Sequence, residues 1–105
     1  MRRFENKETK ILNSDDNDKP MFFSDIANIT LNQKAKKGTT RLEMVKDLEL
    51  VKKLKDFSGK PEIVLEDSEY ERLKSAEAGA IWAFNHEDIV AYGEVLDKAE
   101  KFTAN

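Results

Sequence analysis

Apolar and polar positions along the 105-residue chain change their period several times, and each change predicts an element. Phe4, Ile11 and Leu12 are scattered among charged residues, a pattern that predicts one irregular strand from Phe4 to Leu12. Asn13-Ser14-Asp15-Asp16-Asn17-Asp18-Lys19-Pro20 has no apolar member and reads as a loop or turn. Ser24 is placed to cap a short helix with Ile26, Ala27 and Ile29 on one side. Thr30 and Asn32 oppose its extension, because both compete for backbone hydrogen bonds. Lys34-Ala35-Lys36-Lys37-Gly38-Thr39 carries no apolar period and reads as a linker.

The strongest period follows. Thr40-Arg41-Leu42-Glu43 matches a capping box, and Leu42, Val45, Leu48, Val51 and Leu54 recur every three residues, with Phe57 beyond them. A helix over 41–57 is expected, with Val45, Leu48 and Leu54 in the core and Met44 and Leu50 widening the buried stripe. Ser58-Gly59 and Pro61 stop it. Ile63-Val64-Leu65 reads as a small strand able to pair with the N-terminal one. Asp67 or Ser68 opens a helix ending at Gly79, Ser68 and Glu71 forming a second capping box. Ile81-Trp82-Ala83-Phe84 is the most apolar short run, and Asn85 is placed to cap a last helix bearing Ile89, Tyr92, Val95, Leu96 and Ala99.

This length fits one domain, and 39% hydrophobic against 37% charged residues supports a modest core. Zero Cys excludes a disulfide framework, a thiolate zinc site and thiol chemistry. The longest apolar runs fall far short of the roughly 20 residues that span a bilayer, so a soluble, non-membrane protein is expected. The net charge of −3 hides a division. Residues 34–60 hold 9 basic against 4 acidic residues, and residues 61–105 hold 4 basic against 11 acidic. Such polarity can pair within one molecule or between copies.

Candidate chemistry is sparse. His86, the single histidine, precedes Glu87 and Asp88 and could serve as a carboxylate-held base, or simply start a helix. The second reading is preferred, and His86-Glu87-Asp88-Ile89-Val90 lacks the second His of a zinc-protease helix. Asp15, Asp16 and Asp18 suggest calcium, but Pro20 interrupts the series and no Glu closes a twelve-residue loop. Glycines 38, 59, 79 and 93 never cluster as a phosphate loop requires. Neither a metal, a cofactor nor an enzymatic activity is therefore expected. Lys36, Lys37, Arg41, Lys52, Lys53 and Lys55 form a basic segment that could contact nucleic acid, or else a solvated face matched to a helix dipole. Trp82 and Phe84 are either core between two helices or an anchor for a partner protein. Phe4, Ile11 and Leu12 raise the same choice, since a polar arm over 1–20 could order against a neighbour.

Ile63-Val64-Leu65-Glu66-Asp67-Ser68-Glu69-Tyr70-Glu71-Arg72-Leu73-Lys74, followed by Trp82-Ala83-Phe84 and by His86, Asp88, Ile89 and Val90, resembles small accessory proteins of tailed bacteriophages and prophages. The similarity spans about residues 60–102, with a looser echo at Asp18-Lys19-Pro20-Met21, where the turn lacks that family's glycine. The resemblance implies a phage-encoded protein of the host cytoplasm or the virion, and carries no catalytic residue. The expectation is a mostly helical α+β domain over 21–105, with three or four helices, a minor two-stranded sheet and an N-terminal arm over 1–20. It would bind protein, phage structural proteins or copies of itself, as a virion or assembly component. A nucleic-acid-associated regulator using 34–55 is the alternative.

Overall fold

Ile63 and Leu65 alternate with Val64, so a strand there turns two apolar side chains to one side. Phe4 supplies the matching position on the N-terminal strand: its Cα partner is Ile63, and Arg2 pairs with Leu65. The computed structural model describes residues 1–13 and 18–103. Strand β1 (Arg2–Glu5) is followed by β2 (Glu8–Asn13), β3 (Lys19–Phe22), α1 (Phe23–Lys36) and α2 (Arg41–Asp56). Then come β4 (Glu62–Leu65), α3 (Asp67–Ala78), α4 (Glu87–Asp97) and β5 (Glu100–Lys101). The strands form two antiparallel sheets, one in the order β4-β1-β5 and one pairing β2 with β3. The class is α+β, as expected, with four helices among the described residues. Among the described residues, no helix is long and apolar enough to cross a membrane.

Helix α1 is the spine of the core. Phe23, Ile26, Ala27, Thr30 and Leu31 are buried along it at helical spacing, and α2, α3 and α4 all pack on it. Its cap is Phe22, two residues before the expected Ser24, and the Phe22 N–H donates to the Asp25 carboxylate at 2.9 Å. The helix runs through residues 34–36, which were expected in a linker. Burial of Thr30 and Leu31 carries the helix past a segment of poor propensity, and the Thr30 hydroxyl is satisfied by the Ala27 carbonyl at 2.7 Å.

The N-terminal segment is not an arm. β1 is the middle strand of its sheet, and Phe4 is 4% exposed, inside the core. Asn6, just beyond it, is a buried stitch: its backbone N–H donates to Pro61 O, its Nδ2 to Phe57 O at 2.8 Å, and its Oδ1 accepts from Ser24 N at 3.0 Å. The one side chain thus ties together the start of α1 and the end of α2, a long-range pairing that local polarity cannot reveal. The Phe4–Leu12 strand is in fact two strands in different sheets, and β2 pairs with β3. Residues 14–17, with Asp15 and Asp16 of the calcium reading, lie outside the described residues.

Helix α2 presents a different face to the core than its three-residue rhythm suggests. Leu54 is fully buried, as expected, and so is Leu50, but Val45 and Leu48 point outward and Leu48 is 61% exposed. A three-residue step falls about 60° short of a full turn, so positions 42 to 54 wind around the helix rather than mark one face. The inward face is chosen by charge as well as by apolar contact. Arg72 of α3, with little exposure, donates from Nη1 to Asp47 Oδ1 at 2.9 Å and meets Glu43 Oε2 at 2.6 Å. Lys34 of α1 lies 3.9 Å from the same Asp47 oxygen, and Lys53 donates to Glu69 at 2.7 Å.

The other helix ends follow simple local chemistry. Thr40 accepts from the Glu43 N–H at 3.2 Å, half of the expected capping box, while the Glu43 carboxylate goes to Arg72 instead of back to the cap. Helix α3 is capped by Glu66, whose N–H donates to Glu69 at 2.9 Å, rather than by Ser68 and Glu71. Gly79 ends it, as expected. His86, not Asn85, caps α4.

Candidate functional site

Large apolar side chains scattered singly over a surface are ordinary, whereas contiguous ones mark contact sites. Among the described residues, the exposed ones concentrate in two places. The first is the outward face of α2, where Leu42, Met44, Val45 and Leu48 stand in solvent. Met44, Val45 and Leu48 lie at helical spacing with Arg41, Lys52 and Lys55, all three of them exposed cations. The result is an apolar ridge bordered by charges of both signs, since Glu49 and Asp56, also exposed, stand four residues after Val45 and Lys52. The Asp47–Arg72 and Lys53–Glu69 contacts hold the opposite side of α2 inward, and so hold this ridge outward.

The second place is the connection between α3 and α4. Ile81 and Phe84 are exposed, Phe84 by 50%, and Val90 of α4 joins them. Trp82 is partly buried against the core and roots the segment. Trp82 and Phe84 meet edge to face with ring centroids 6.1 Å apart, and the Phe84 ring meets His86 in the same way at 6.4 Å. Together Trp82, Phe84, His86, Glu87 and Val90 line an open cleft.

This cleft is built on a clamped backbone. On one side, the Gln33 side-chain amide donates to Ile81 O at 3.1 Å and its Oε1 accepts from Ile81 N at 2.9 Å, while Lys37 Nζ donates to Gly79 O at 2.8 Å. On the other, His86 Nδ1 accepts from the Asp88 N–H at 3.0 Å, and the largely buried Asp88 carboxylate accepts from Lys10 N at 2.8 Å. A bond accepted at Nδ1 leaves the ring proton on Nε2 in the neutral tautomer. His86 and Asp88 thus work as helix-start and strand-to-helix fasteners. Preorganised aromatic surface loses little conformational freedom when it is covered.

The residues singled out from the sequence are dispersed by the fold. Phe4 is core and closed to any partner, Ile11 packs partly against the core, and Leu12 is exposed on β2. Only Trp82 and Phe84 come together. Of the basic set, Lys36 and Lys37 end α1, with Lys37 spent on Gly79 and Lys53 on Glu69. Arg41, Lys52 and Lys55 share one face. Sequence reasoning missed the α2 ridge because its members had been assigned to the core. The usable signal was Asp47 and Glu43 in register with Leu50 and Leu54, with a basic residue at 72 to receive them.

Carboxylates respond to these settings. The Arg72 guanidinium bonded to Glu43 holds that carboxyl below its usual range, and the chain's amino terminus, 3.1 Å away, does the same for Asp67. Burial, reinforced by the charge of Asp97, pushes Glu77 up. Burial also pushes the Tyr92 hydroxyl well above the ordinary phenol value. Among the described residues, no three His, Asp or Glu side chains gather as a metal ion would need. No protein-family model, curated protein or solved structure matches this chain.

Proposed function

We propose that the protein is a non-enzymatic binding module that docks other protein through the outward face of α2. One observation carries the reading: Met44, Val45 and Leu48 form an exposed apolar ridge on a helix that already has a complete inward face of Leu50, Leu54, Asp47 and Glu43. Burying such a ridge against a partner gains about 25 cal/mol for each Å² of apolar surface removed from water. The resemblance of residues 60–102 to phage accessory proteins gives this activity a setting, a structural or assembly role in a particle made in the host cytoplasm.

The test is Val45→Glu with Leu48→Glu, followed by comparison of the proteins recovered with the wild-type and altered chains from cells carrying the neighbouring genes. The variant is expected to melt like the wild type and to lose a protein that the wild type retains. Equal recovery by both refutes the reading.

A nucleic-acid role is the second reading, favoured by Arg41, Lys52 and Lys55 on one face. It ranks lower because Leu48 and Val45 share that face and phosphate contact leaves them uncovered. Its signature would be binding that weakens steeply with salt and flattens on Lys52→Gln with Lys55→Gln.

A further inference from the structure

The acceptor that caps α4 is one that a single proton removes. A neutral imidazole has one bare ring nitrogen, and His86 uses its bare Nδ1 to accept the Asp88 N–H at 3.0 Å. The commonest N-cap side chains, those of Ser, Thr, Asp and Asn, keep their acceptor oxygen throughout the neutral range. Histidine is the side chain that ordinarily changes charge between about pH 5 and 8, and this chain has one. The same ring supports the aromatic wall of the cleft, since Phe84 packs edge to face with His86, and Trp82 with Phe84. A second position for the ring is close at hand. Asp88 Oδ2 stands 3.8 Å from His86 Nδ1, on a largely buried side chain held by the Lys10 N–H at 2.8 Å.

We infer that His86 is a pH-operated latch on the start of α4 and on the Trp82–Phe84 wall. Neutral, its Nδ1 accepts the Asp88 N–H and the wall is fixed. When Nδ1 takes up a proton from solvent, two donors face each other across 3.0 Å and the cap is lost. The charged ring also meets the positive end of the α4 dipole. The new Nδ1–H turns to the Asp88 carboxylate, and Phe84 and Trp82 follow the ring. The first turn of α4 is left with an uncapped N–H.

The charged groups around this ring are Glu87 and Asp88 of α4, with Lys7, Glu8 and Lys10 on the strand side, which line a hollow together. Lys10 Nζ lies 3.6 Å from Glu87 Oε1, which leaves Asp88 as the carboxylate beside Nδ1. Trp82, Phe84 and Asn85 line the cleft next to the ring and bring no charge. From α1, Lys37 reaches the same connection but ends on Gly79 O at 2.8 Å. The latch needs no partner and does not depend on the α2 ridge.

Trp82 is the chain's one tryptophan, so its emission reports the wall without a label. Between about pH 8 and pH 5 the wild-type chain should show a one-proton change in Trp82 emission. Its midpoint should coincide with that of the His86 ring protons in NMR spectra. Over the same interval the Asp88 amide should lose its hydrogen-bonded shift. His86→Asn supplies an acceptor that does not titrate, so Trp82 emission and the Asp88 amide should hold steady. His86→Ala supplies none, and at the upper pH its α4 first-turn amides should already match those of the acidified wild type.

The inference is overturned if the His86 ring titrates while the Asp88 amide and Trp82 stay unchanged, or if His86→Asn responds to pH like the wild type. It is also overturned if ring nitrogen shifts at the upper pH place the proton on Nδ1, or if the ring stays neutral across the whole interval. The ring, amide and emission readings on the wild-type chain decide the matter whether or not a variant folds.

Discussion

Leu48 and Leu50 are the same residue type on the same helix, two positions apart, and α2 should treat them oppositely. Leu50 is 1% exposed inside the core cluster, whereas Leu48 is 61% exposed. Truncating a fully buried leucine to alanine costs about 2–5 kcal/mol, from lost transfer energy and from the cavity left behind. For a domain of this size each kcal/mol moves the melting temperature by about 4–8 °C, so Leu50→Ala should lower it by more than about 10 °C. Leu48→Ala removes a side chain already largely in water and should change stability by no more than about 0.5 kcal/mol. Alanine also favours the helix slightly, which reduces that figure further. Thermal and urea denaturation of both variants, at concentrations low enough to suppress association, give the comparison. If Leu48→Ala destabilises as much as Leu50→Ala, α2 is rotated about its axis relative to the description above. The ridge, and every inference drawn from it, would then fail together.

Arg72→Met leaves the shielded Asp47 carboxylate without its main partner and should cost about 1–3 kcal/mol at neutral pH in urea titrations. Glu43 sits below its usual range in the folded chain, so its share of stability is full above the ordinary carboxylate value and is lost as pH falls through the lowered one; the variant's deficit should shrink over that acidic interval. Glu77 has the opposite sign: its carboxyl is pushed up, so a penalty develops as pH rises from the ordinary to the raised value, and Glu77→Gln should stabilise the chain above that interval but not below it. A Cβ at Gly93 would stand 2.8 Å from Glu77 Oε1, so Gly93→Ala should yield its full helix gain of about 1 kcal/mol only with Glu77→Ala, and additive melting shifts would contradict that contact. Asn6→Ala leaves the Ser24 N–H and the Phe57 carbonyl without side-chain partners and should cost about 2–4 kcal/mol, while deleting residues 1–12 should unfold the chain outright by circular dichroism; a folded deletion would return β1 to the status of an arm.

Local chemistry made several elements readable in advance. Thr40 begins α2, Gly59 in the left-handed conformation follows its end, and β-branched Ile63 and Val64 make a strand, because caps, left-handed stops and pleated packing act over three or four neighbouring residues. The α+β class follows from the same signals. The N-terminal strand was visible only as a possibility, since Phe4 among charges has no local reason to be buried. It becomes core because Ile63 and Leu65, about sixty residues away, need a third strand position to cover them.

What the sequence determined by itself is therefore where helices and strands start, how they end, and which short runs are apolar enough to matter. Only the tertiary structure decided which side of each element faces inward. Helix α2 carries apolar residues nearly all round, so periodicity leaves its orientation degenerate, and Arg72 on another helix resolves it by drawing Asp47 and Glu43 inward. Turning those carboxylates in turns Val45 and Leu48 out. The candidate binding surface is the other side of an ion-pair choice, set by a residue about 25 positions further along the chain, and orientation of that kind is a property of the packed molecule rather than of any segment.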